Sequence, residues 1–309
     1  MILDGGMGHL LRRNGVEISG PIGTMERFRG VARANRDSPD IVLQSHLQFL
    51  RSGADVITTN TYACVPAALA TEGGGSLDDV VDLVQAGGAL AARARDIAIS
   101  ERLSNTRPLV AGCLPPLHET YQPDRVGDYD ELSSTYRMIV DSVAPSSDVL
   151  LCETMHSTAE ACAAAEAANA AGLPVWVSFT VSEVDVGCLR SGEAIAEGVA
   201  AIAEFRNVEA AMLNCSSPEA ITFALPLLVQ AAPDLTIGVY ANGFSDAFRA
   251  SATDNDSVPT YREYDEMLTP DTFARIAGDW RQQGASIIGG CCGIFPEHIA
   301  SLVSTTGAS

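Results

Sequence analysis

Lysine is missing from this sequence of 309 residues. All 19 basic residues are arginine, against 39 aspartates and glutamates. Without lysine, Schiff-base chemistry, pyridoxal phosphate held on lysine and a phosphate-loop lysine are excluded. The formal net charge of −20 argues against nucleic acid or an anionic membrane surface as partner, because both would repel the chain. Salt adaptation is one explanation of this lysine-free, acidic composition, and genome composition explains it nearly as well.

Long apolar runs and secretion signals are absent as well. No stretch of about 18 uncharged apolar residues suggests a membrane span. Met1-Ile2-Leu3 has neither the basic start nor the apolar core of a signal peptide. The eight cysteines are irregularly spaced, unlike the disulfide framework of a small secreted domain. We therefore expect a cytoplasmic protein with reduced thiols.

Eight apolar segments of strand length recur along the chain. They cover residues 2–3, 55–60, 108–113, 148–153, 174–179, 210–215, 236–242 and 286–292. Segments with helix character lie between them, at 40–52, 76–102, 130–143, 157–171, 192–206, 217–232 and 269–283. Strands that are apolar along their whole length and alternate with helices are typical of a parallel sheet buried on both faces. The pattern predicts an α/β fold, a (β/α)8 TIM barrel forming a single domain over residues 1–309.

Several helices carry start and stop signals. Ser157 and Glu160 have capping-box spacing, and Gly172 follows that helix. Thr269 precedes Pro270 at the start of another helix. Three long connections, 5–38, 114–129 and 243–268, each follow a strand. We expect all three at the catalytic end of the barrel.

Three cysteines end two of the predicted strands. Cys215 ends the sixth strand, and the adjacent Cys291 and Cys292 end the eighth. Structural zinc sites usually show Cys-x-x-Cys pairs, and this chain has none, so the alternative is that buried cysteines pack as small hydrophobes. However, strand ends converge at one mouth of a parallel barrel. Three thiols meeting there can bind Zn²⁺ and leave its fourth position open, as in catalytic zinc sites. The same mouth receives Asp4, Glu153 and Asn242.

Five motifs in order carry a family resemblance over nearly the whole chain, from about Leu3 to about Ile299. They are Asp4-Gly5-Gly6-Met7-Gly8, the segment 53–62, Glu153-Thr154, Asn214-Cys215, and Gly289-Gly290-Cys291-Cys292-Gly293 with Pro296-Glu297-His298-Ile299. The sequence resembles the zinc-dependent homocysteine S-methyltransferase family. The resemblance implies that Cys215, Cys291 and Cys292 bind Zn²⁺. It also implies that Asp4 and Glu153 hold the homocysteine ammonium group.

The implied reaction is transfer of a methyl group to homocysteine, which gives methionine. Both substrates are small molecules. The chain lacks room for cobalamin and folate domains, and it lacks the C-terminal sequence of betaine-type relatives. A sulfonium donor, S-methylmethionine or S-adenosylmethionine, is therefore expected. Betaine or methyl-folate as donor, and another thiol or a selenol as acceptor, are the alternatives. The oligomeric state is not predicted.

The sequence departs from the family pattern at three places, one of which is the loop at residues 115–121. Tyr240-Ala241-Asn242 stands where Tyr-Pro-Asn is usual, and Ile294-Phe295 replaces small hydroxyl residues. Asn242 is expected to reach the open metal position when substrate is absent, or else to cap its own turn. Four aromatic residues could face a methyl-onium donor through cation–π attraction or could be ordinary packing: Tyr62, Tyr121, Phe244 and Phe295.

Two other classes of function compete. A non-catalytic sensor of zinc or a thiol amino acid would keep the cysteines but would not need Asp4 or Glu153. A zinc hydrolase would normally use histidine and carboxylate ligands rather than thiolates. Asp4 could also be a turn residue and Glu153 a solvated rim carboxylate. Among the histidines, only His118, in a long mouth loop, is expected to touch substrate.

Overall fold

Seven parallel strands form a single curled sheet in the computed structural model, which describes residues 1–20, 24–70, 76–118, 128–244 and 267–306. The strands pair in chain order, as expected when consecutive strands are joined by helical crossovers. They are β1 (Val56–Thr58), β2 (Leu109–Leu114), β3 (Val149–Met155), β4 (Val175–Phe179), β5 (Val208–Asn214), β6 (Thr236–Ala241) and β7 (Ile287–Gly290). The prediction of an α/β fold with a parallel sheet is confirmed.

Helices alternate with these strands. They are α1 (Met7–Arg13), α2 (Met25–Asp37), α3 (Pro39–Arg51), α4 (Pro66–Leu69), α5 (Leu77–Glu101), α6 (Tyr129–Val143), α7 (Thr158–Ala170), α8 (Ile195–Ile202), α9 (Pro218–Ala231), α10 (Pro270–Gln282) and α11 (Pro296–Thr306). None of the described helices is long and apolar enough to cross a membrane.

The predicted first strand is reduced to two isolated bridges. Ile2 pairs with Ile288 of β7, and Leu3 pairs with Val56 of β1. The Leu3 amide donates to the Ile288 carbonyl at 2.9 Å, and the Asp4 amide donates to the Val56 carbonyl at 3.0 Å. The first segment therefore connects the two edges of the sheet. It forms no continuous ladder with either edge, because each of its two residues has one bridge to a different edge.

Residues 5–38 were predicted as a connection, but they contain two helices. Helix α1 begins after Gly6, and α2 begins after Thr24, whose Oγ1 accepts the Arg27 amide at 3.4 Å. The abundance of arginine and polar residues in α2 concealed its apolar stripe in the sequence. Most of the other two long connections lies outside the described residues.

The cap at Ser157 forms only in part. Its hydroxyl accepts the Glu160 amide at 3.3 Å, as predicted. The Glu160 carboxylate, however, accepts the His156 amide at 3.0 Å instead of reaching back to Ser157. The predicted start at Thr269 is confirmed, since its hydroxyl accepts the Thr272 amide at 3.3 Å.

Two apolar clusters cover the two faces of the sheet. The larger one packs the outer face against the helices. The smaller one fills the inside of the curl with one or two side chains from each strand, among them Trp176, Met212 and Tyr240. Burial on both faces explains why the strands read as continuous apolar runs. Since the inside is filled, the polar residues that follow the strands line a cavity at its carboxyl end.

Candidate metal centre and substrate cavity

The structure brings together the three thiols that the sequence singled out. Cys215 follows β5, and Cys291 and Cys292 follow β7. Their three sulfur atoms all lie within 4.8 Å of one another. Each predicted strand ends slightly early, at Asn214 and Gly290. The cysteines therefore lie just beyond the sheet, where their side chains can turn toward a common point.

Backbone contacts with β6 and the turn after it fix this cluster. The Cys215 amide donates to the Tyr240 carbonyl at 3.3 Å, and the Cys291 amide donates to the Ala241 carbonyl at 2.8 Å. The Cys292 carbonyl accepts the Gly243 amide at 2.7 Å. Cys215 has a φ of +51°, a left-handed conformation that non-glycine residues adopt rarely and often at functional sites.

A glycine supports the turn that carries the vicinal pair. A Cβ at Gly290 would overlap the side chain of Ile294. Ile294 is fully buried, and its amide donates to the Cys291 carbonyl at 3.1 Å. The absence of a side chain at position 290 therefore allows the turn to fold tightly back on the end of β7.

The electrostatics of the thiols favour a bound cation. Hydrogen bonds from Cys215 and Cys291 lower the pKa of the Cys292 thiol well below its ordinary value, and the positive charge of Arg27 contributes to that shift. A hydrogen bond between Cys215 and Cys291 raises the pKa of Cys291. The lowered pKa favours negative charge on Cys292, within a set of three sulfur donors. Sulfur donors select soft divalent ions such as Zn²⁺ over Mg²⁺ or Ca²⁺, so this donor set fits Zn²⁺.

Asp4 lies directly after the residues that join the sheet edges. Its Oδ2 accepts the Thr58 amide at 2.8 Å, and its Oδ1 accepts the Thr58 hydroxyl at 3.0 Å. The side chain is buried, and loss of hydration raises the pKa of Asp4 to about 8. Asp4 is thus a fixed carboxyl group rather than a solvated turn residue.

Glu153 of β3 is the second carboxyl group of the site. It is half-buried, and desolvation raises its pKa to about 7. The Cys113 thiol donates to Glu153 Oε2 at 3.0 Å, and this contact opposes part of the shift. The motifs in the sequence give Cys113 no role. Its contact with Glu153 depends on the register of two strands and could not be read from spacing.

An irregularity in β3 sets the position of Glu153. The register with β4 shifts between Cys152 and Met155, and Thr154 has a φ of +62°. The Asn214 side chain holds this bend, since its Oδ1 accepts the Thr154 amide at 3.1 Å and its Nδ2 donates to the Thr154 hydroxyl at 2.7 Å. The sequence motif pointed to Asn214 but not to this contact.

One cavity of about 140 Å³ contains both groups of predicted residues. Its lining includes the three thiol ligands and both carboxyl groups, namely Cys215, Cys291, Cys292, Asp4 and Glu153. The sequence missed further lining residues that belong to α1 and α2, among them His9, Arg27 and Phe28. Their helices lie in the stretch that was interpreted as a connection.

The predicted aromatic face is present in part. Tyr62 and Phe244 line the cavity, and Phe28 packs edge-on against Tyr62 with ring centroids 5.9 Å apart. Phe295 is not among the lining residues. Its ring lies 4.3 Å from the guanidinium carbon of Arg13. Tyr121 lies outside the described residues.

Asn242 and His118 do not line this cavity. The Asn242 Oδ1 accepts the Phe244 amide at 3.3 Å, which is the turn-capping geometry. The amide oxygen has a second lone pair, so this hydrogen bond does not exclude a metal, and the role of Asn242 as a fourth ligand stays a prediction. His118 is half-buried at the edge of a stretch that lies outside the described residues.

Comparison with known proteins gives one family. The family model described as Homocysteine S-methyltransferase matches residues 1–306. The homocysteine S-methyltransferase of Escherichia coli K12 is 28% identical over 314 residues, covering 98% of this chain and 94% of that protein. The betaine-homocysteine S-methyltransferase of Drosophila melanogaster is 27% identical over 298 residues, covering 88% of this chain and 85% of that protein.

Solved structures agree with this match. The metallated form of the homocysteine methyltransferase MmuM from Escherichia coli superimposes with a TM-score of 0.81 at 25% identity, covering 99% of this chain and 96% of that chain. The oxidized form of the same enzyme also gives a TM-score of 0.81, at 26% identity, covering 99% and 95% of the two chains.

Proposed function

The chain belongs to the homocysteine S-methyltransferase family, and we propose that it transfers a methyl group to the sulfur of homocysteine, giving methionine, with Zn²⁺ held by Cys215, Cys291 and Cys292. One observation carries the proposal. The three thiols open into the same cavity as Asp4 and Glu153. A metal site and two carboxyl groups in one small cavity match an amino acid that has a thiol at one end and an ammonium group at the other.

Asp4 and Glu153 would bind the ammonium group of homocysteine. Both have raised pKa values because they are desolvated, and an incoming ammonium supplies the opposite charge that stabilises their ionised forms. Thr58 holds Asp4 on two sides, and Cys113 holds one oxygen of Glu153. These contacts orient the acceptor so that its sulfur points toward the thiol cluster, which is a positioning role.

When bound, Zn²⁺ would keep the homocysteine sulfur deprotonated at neutral pH, where a free thiol is mostly protonated. The sulfur attacks the methyl carbon of the donor in a direct displacement. The new carbon–sulfur bond forms as the bond between methyl and the onium atom breaks, and the donor keeps that electron pair. Asp4 and Glu153 take no part in proton transfer at the reacting atoms.

For the donor we propose S-methylmethionine, with S-adenosylmethionine as a slower substrate. The aromatic rings of Phe28, Tyr62 and Phe244 around the cavity suit a methyl-onium cation. Betaine is the second candidate, since a betaine-dependent relative from Drosophila melanogaster matches most of the chain. The departures at Ala241, Ile294 and Phe295 bear on this choice and leave the thiol ligands intact.

The proposed function is tested by metal analysis and a panel of donors. Purified protein loaded with Zn²⁺ is given saturating homocysteine and one donor at a time, and methionine is measured. We expect turnover with S-methylmethionine in the absence of cobalamin. Turnover with betaine or methyl-folate alone would contradict the proposed donor and would leave homocysteine as the proposed acceptor. Methylation of another thiol or a selenol in preference to homocysteine would overturn the acceptor.

We also infer that residues 2–3 act as the eighth strand of a closed (β/α)8 barrel and that residues 1–309 form one domain. The hydrogen bonds from Leu3 and Asp4 to β7 and β1 support closure. The family match over residues 1–306 supports a single domain. Reduced thiol ligands suit a cytoplasmic location, and the acidic surface suits small-molecule rather than nucleic-acid partners.

A further inference from the structure

Arg27 brings a buried positive charge to the substrate cavity. It lies in the first turn of α2, is 5% exposed, and lines the same cavity as the thiols and Asp4. It is the sole arginine among the described lining residues. A guanidinium group that has lost most of its hydration binds a carboxylate strongly, because two parallel hydrogen bonds form in a low-dielectric setting.

The aromatic residues that line the cavity together with Arg27 indicate which substrate carboxylate it binds. Phe28 follows it in the chain and packs against Tyr62, and Phe244 lines the same cavity. Aromatic rings attract quaternary ammonium and sulfonium groups. The acceptor has its own carboxyl partners in Asp4 and Glu153, which suit its ammonium group. A guanidinium and aromatic rings that line one cavity match a molecule with an onium centre and a carboxylate close together.

We propose that Arg27 binds the carboxylate of the methyl donor, which makes the donor class a methyl-onium zwitterion. This proposal rests on the proposed function. It adds a specificity-determining residue from a helix that the sequence did not reveal. Glycine betaine and S-methylmethionine share this chemistry, one as an ammonium and one as a sulfonium, and both can be compared with analogues in which an alcohol replaces the carboxylate.

The test measures donor binding directly, by calorimetry on Zn²⁺-loaded protein. Homoserine replaces homocysteine, since it lacks the thiol and so prevents turnover. Glycine betaine is compared with choline, and S-methylmethionine with its alcohol. The variants are Arg27→Met and Arg27→Lys, and the control is Arg33→Met, which changes an exposed arginine of the same helix. Metal content and thermal unfolding are recorded for each protein.

We expect Arg27→Met to weaken binding of a carboxylate donor by about 10- to 100-fold, the loss of a charge-assisted contact. Binding of the matching alcohol should change by less than about 2-fold. Arg27→Lys should give an intermediate loss, because it keeps the charge without the planar fork. Arg33→Met should resemble the wild type. Should Arg27→Met fail to fold, the comparison of Arg27→Lys with Arg33→Met decides. Glycine betaine and S-methylmethionine are then compared, and the one whose binding weakens more in Arg27→Met is identified as the donor.

Equal weakening of carboxylate and alcohol, or no weakening of either, would overturn the assignment. A rise in the KM of homocysteine with an unchanged donor KM would show that Arg27 binds homocysteine. That result would also overturn the assignment. Failure of the proposed function has a different signature. In that case the wild type forms no methionine from any donor, while the dependence of carboxylate binding on Arg27 remains measurable.

Discussion

Asn214 donates a 2.7 Å hydrogen bond to the hydroxyl of Thr154 and accepts the Thr154 amide at 3.1 Å. Each partner adjoins a residue of the site, since Glu153 precedes Thr154 and Cys215 follows Asn214. Thr154 and Cys215 both have left-handed φ angles, a conformation that costs free energy and persists only where the surroundings impose it. The side chain of Asn214 therefore links the strand end that carries Glu153 to the strand end that carries Cys215.

Substitution of Asn214 tests this connection. Asn214→Ala should lower the free energy of unfolding by about 1–3 kcal/mol, because the buried Thr154 amide loses its partner. It should also weaken both metal and homocysteine binding. The control is Ser178→Ala, which removes the 2.7 Å hydrogen bond to the same Oδ1 but leaves both contacts between Asn214 and Thr154. Urea denaturation and chelator competition measure the two effects. If the two variants behaved alike, Asn214 would have no special role.

Each of the three proposed metal ligands should be required for metal binding. Serine at Cys215, Cys291 or Cys292 should remove Zn²⁺, because a hydroxyl is a poor replacement for a thiolate on a soft ion. Cys162→Ser, on α7 away from the cluster, should bind metal like the wild type. Metal content by mass spectrometry decides, and full occupancy in all three ligand variants would show that the metal lies elsewhere.

Glu153→Gln should weaken homocysteine binding while retaining the metal. A neutral amide cannot supply the charge-assisted contact with an ammonium group, so the loss should be about 1.5–3 kcal/mol. Calorimetry on the Zn²⁺-loaded variant gives the affinity. An unchanged affinity for homocysteine with the metal present would show that Glu153 does not contact the substrate.

Cys113 should influence homocysteine binding through Glu153. Cys113→Ala removes the 3.0 Å contact to Glu153 Oε2, so homocysteine should bind a few-fold more weakly, about 0.5–1 kcal/mol. Cys113→Ser keeps a donor and should restore most of the affinity. Cys152→Ala, at an equally buried cysteine of β3, controls for lost packing. Weaker homocysteine binding in Cys152→Ala than in Cys113→Ala would make the effect one of packing.

Asp4 should make the metal-free protein less stable as pH rises. Its folded-state pKa of about 8 lies above the ordinary value of 3.8, so the folded state binds more protons than the unfolded state between these values. The free energy of unfolding should therefore fall by up to about 1.4 kcal/mol per pH unit over that window. Asp4→Asn keeps the shape without the charge and should flatten the slope. Denaturation of both proteins at pH 5 and pH 8 measures it, and equal slopes would show that Asp4 titrates normally.

The sequence predicted those parts of the site that depend on strand ends alone. Cys215, Cys291 and Cys292 follow buried strands, and parallel strands bring their carboxyl ends together whatever the loops do. The contact between Cys113 and Glu153 depends instead on strand register and on the irregularity at Thr154, which leave no periodic trace. Arg27 and Phe28 were missed because α2 is rich in arginine, so its buried residues did not stand out from a polar connection.

The closeness of the three sulfurs also has a consequence for redox chemistry. The three thiols lie within 4.8 Å of one another, and oxidation of two of them would form a disulfide, with two protons and two electrons passing to an oxidant. Once formed, that bond would remove two of the three metal ligands. A bound ion would engage the thiolates in coordination and so slow this oxidation. We therefore expect the metal-free protein to need a reducing environment to keep its three sulfur donors.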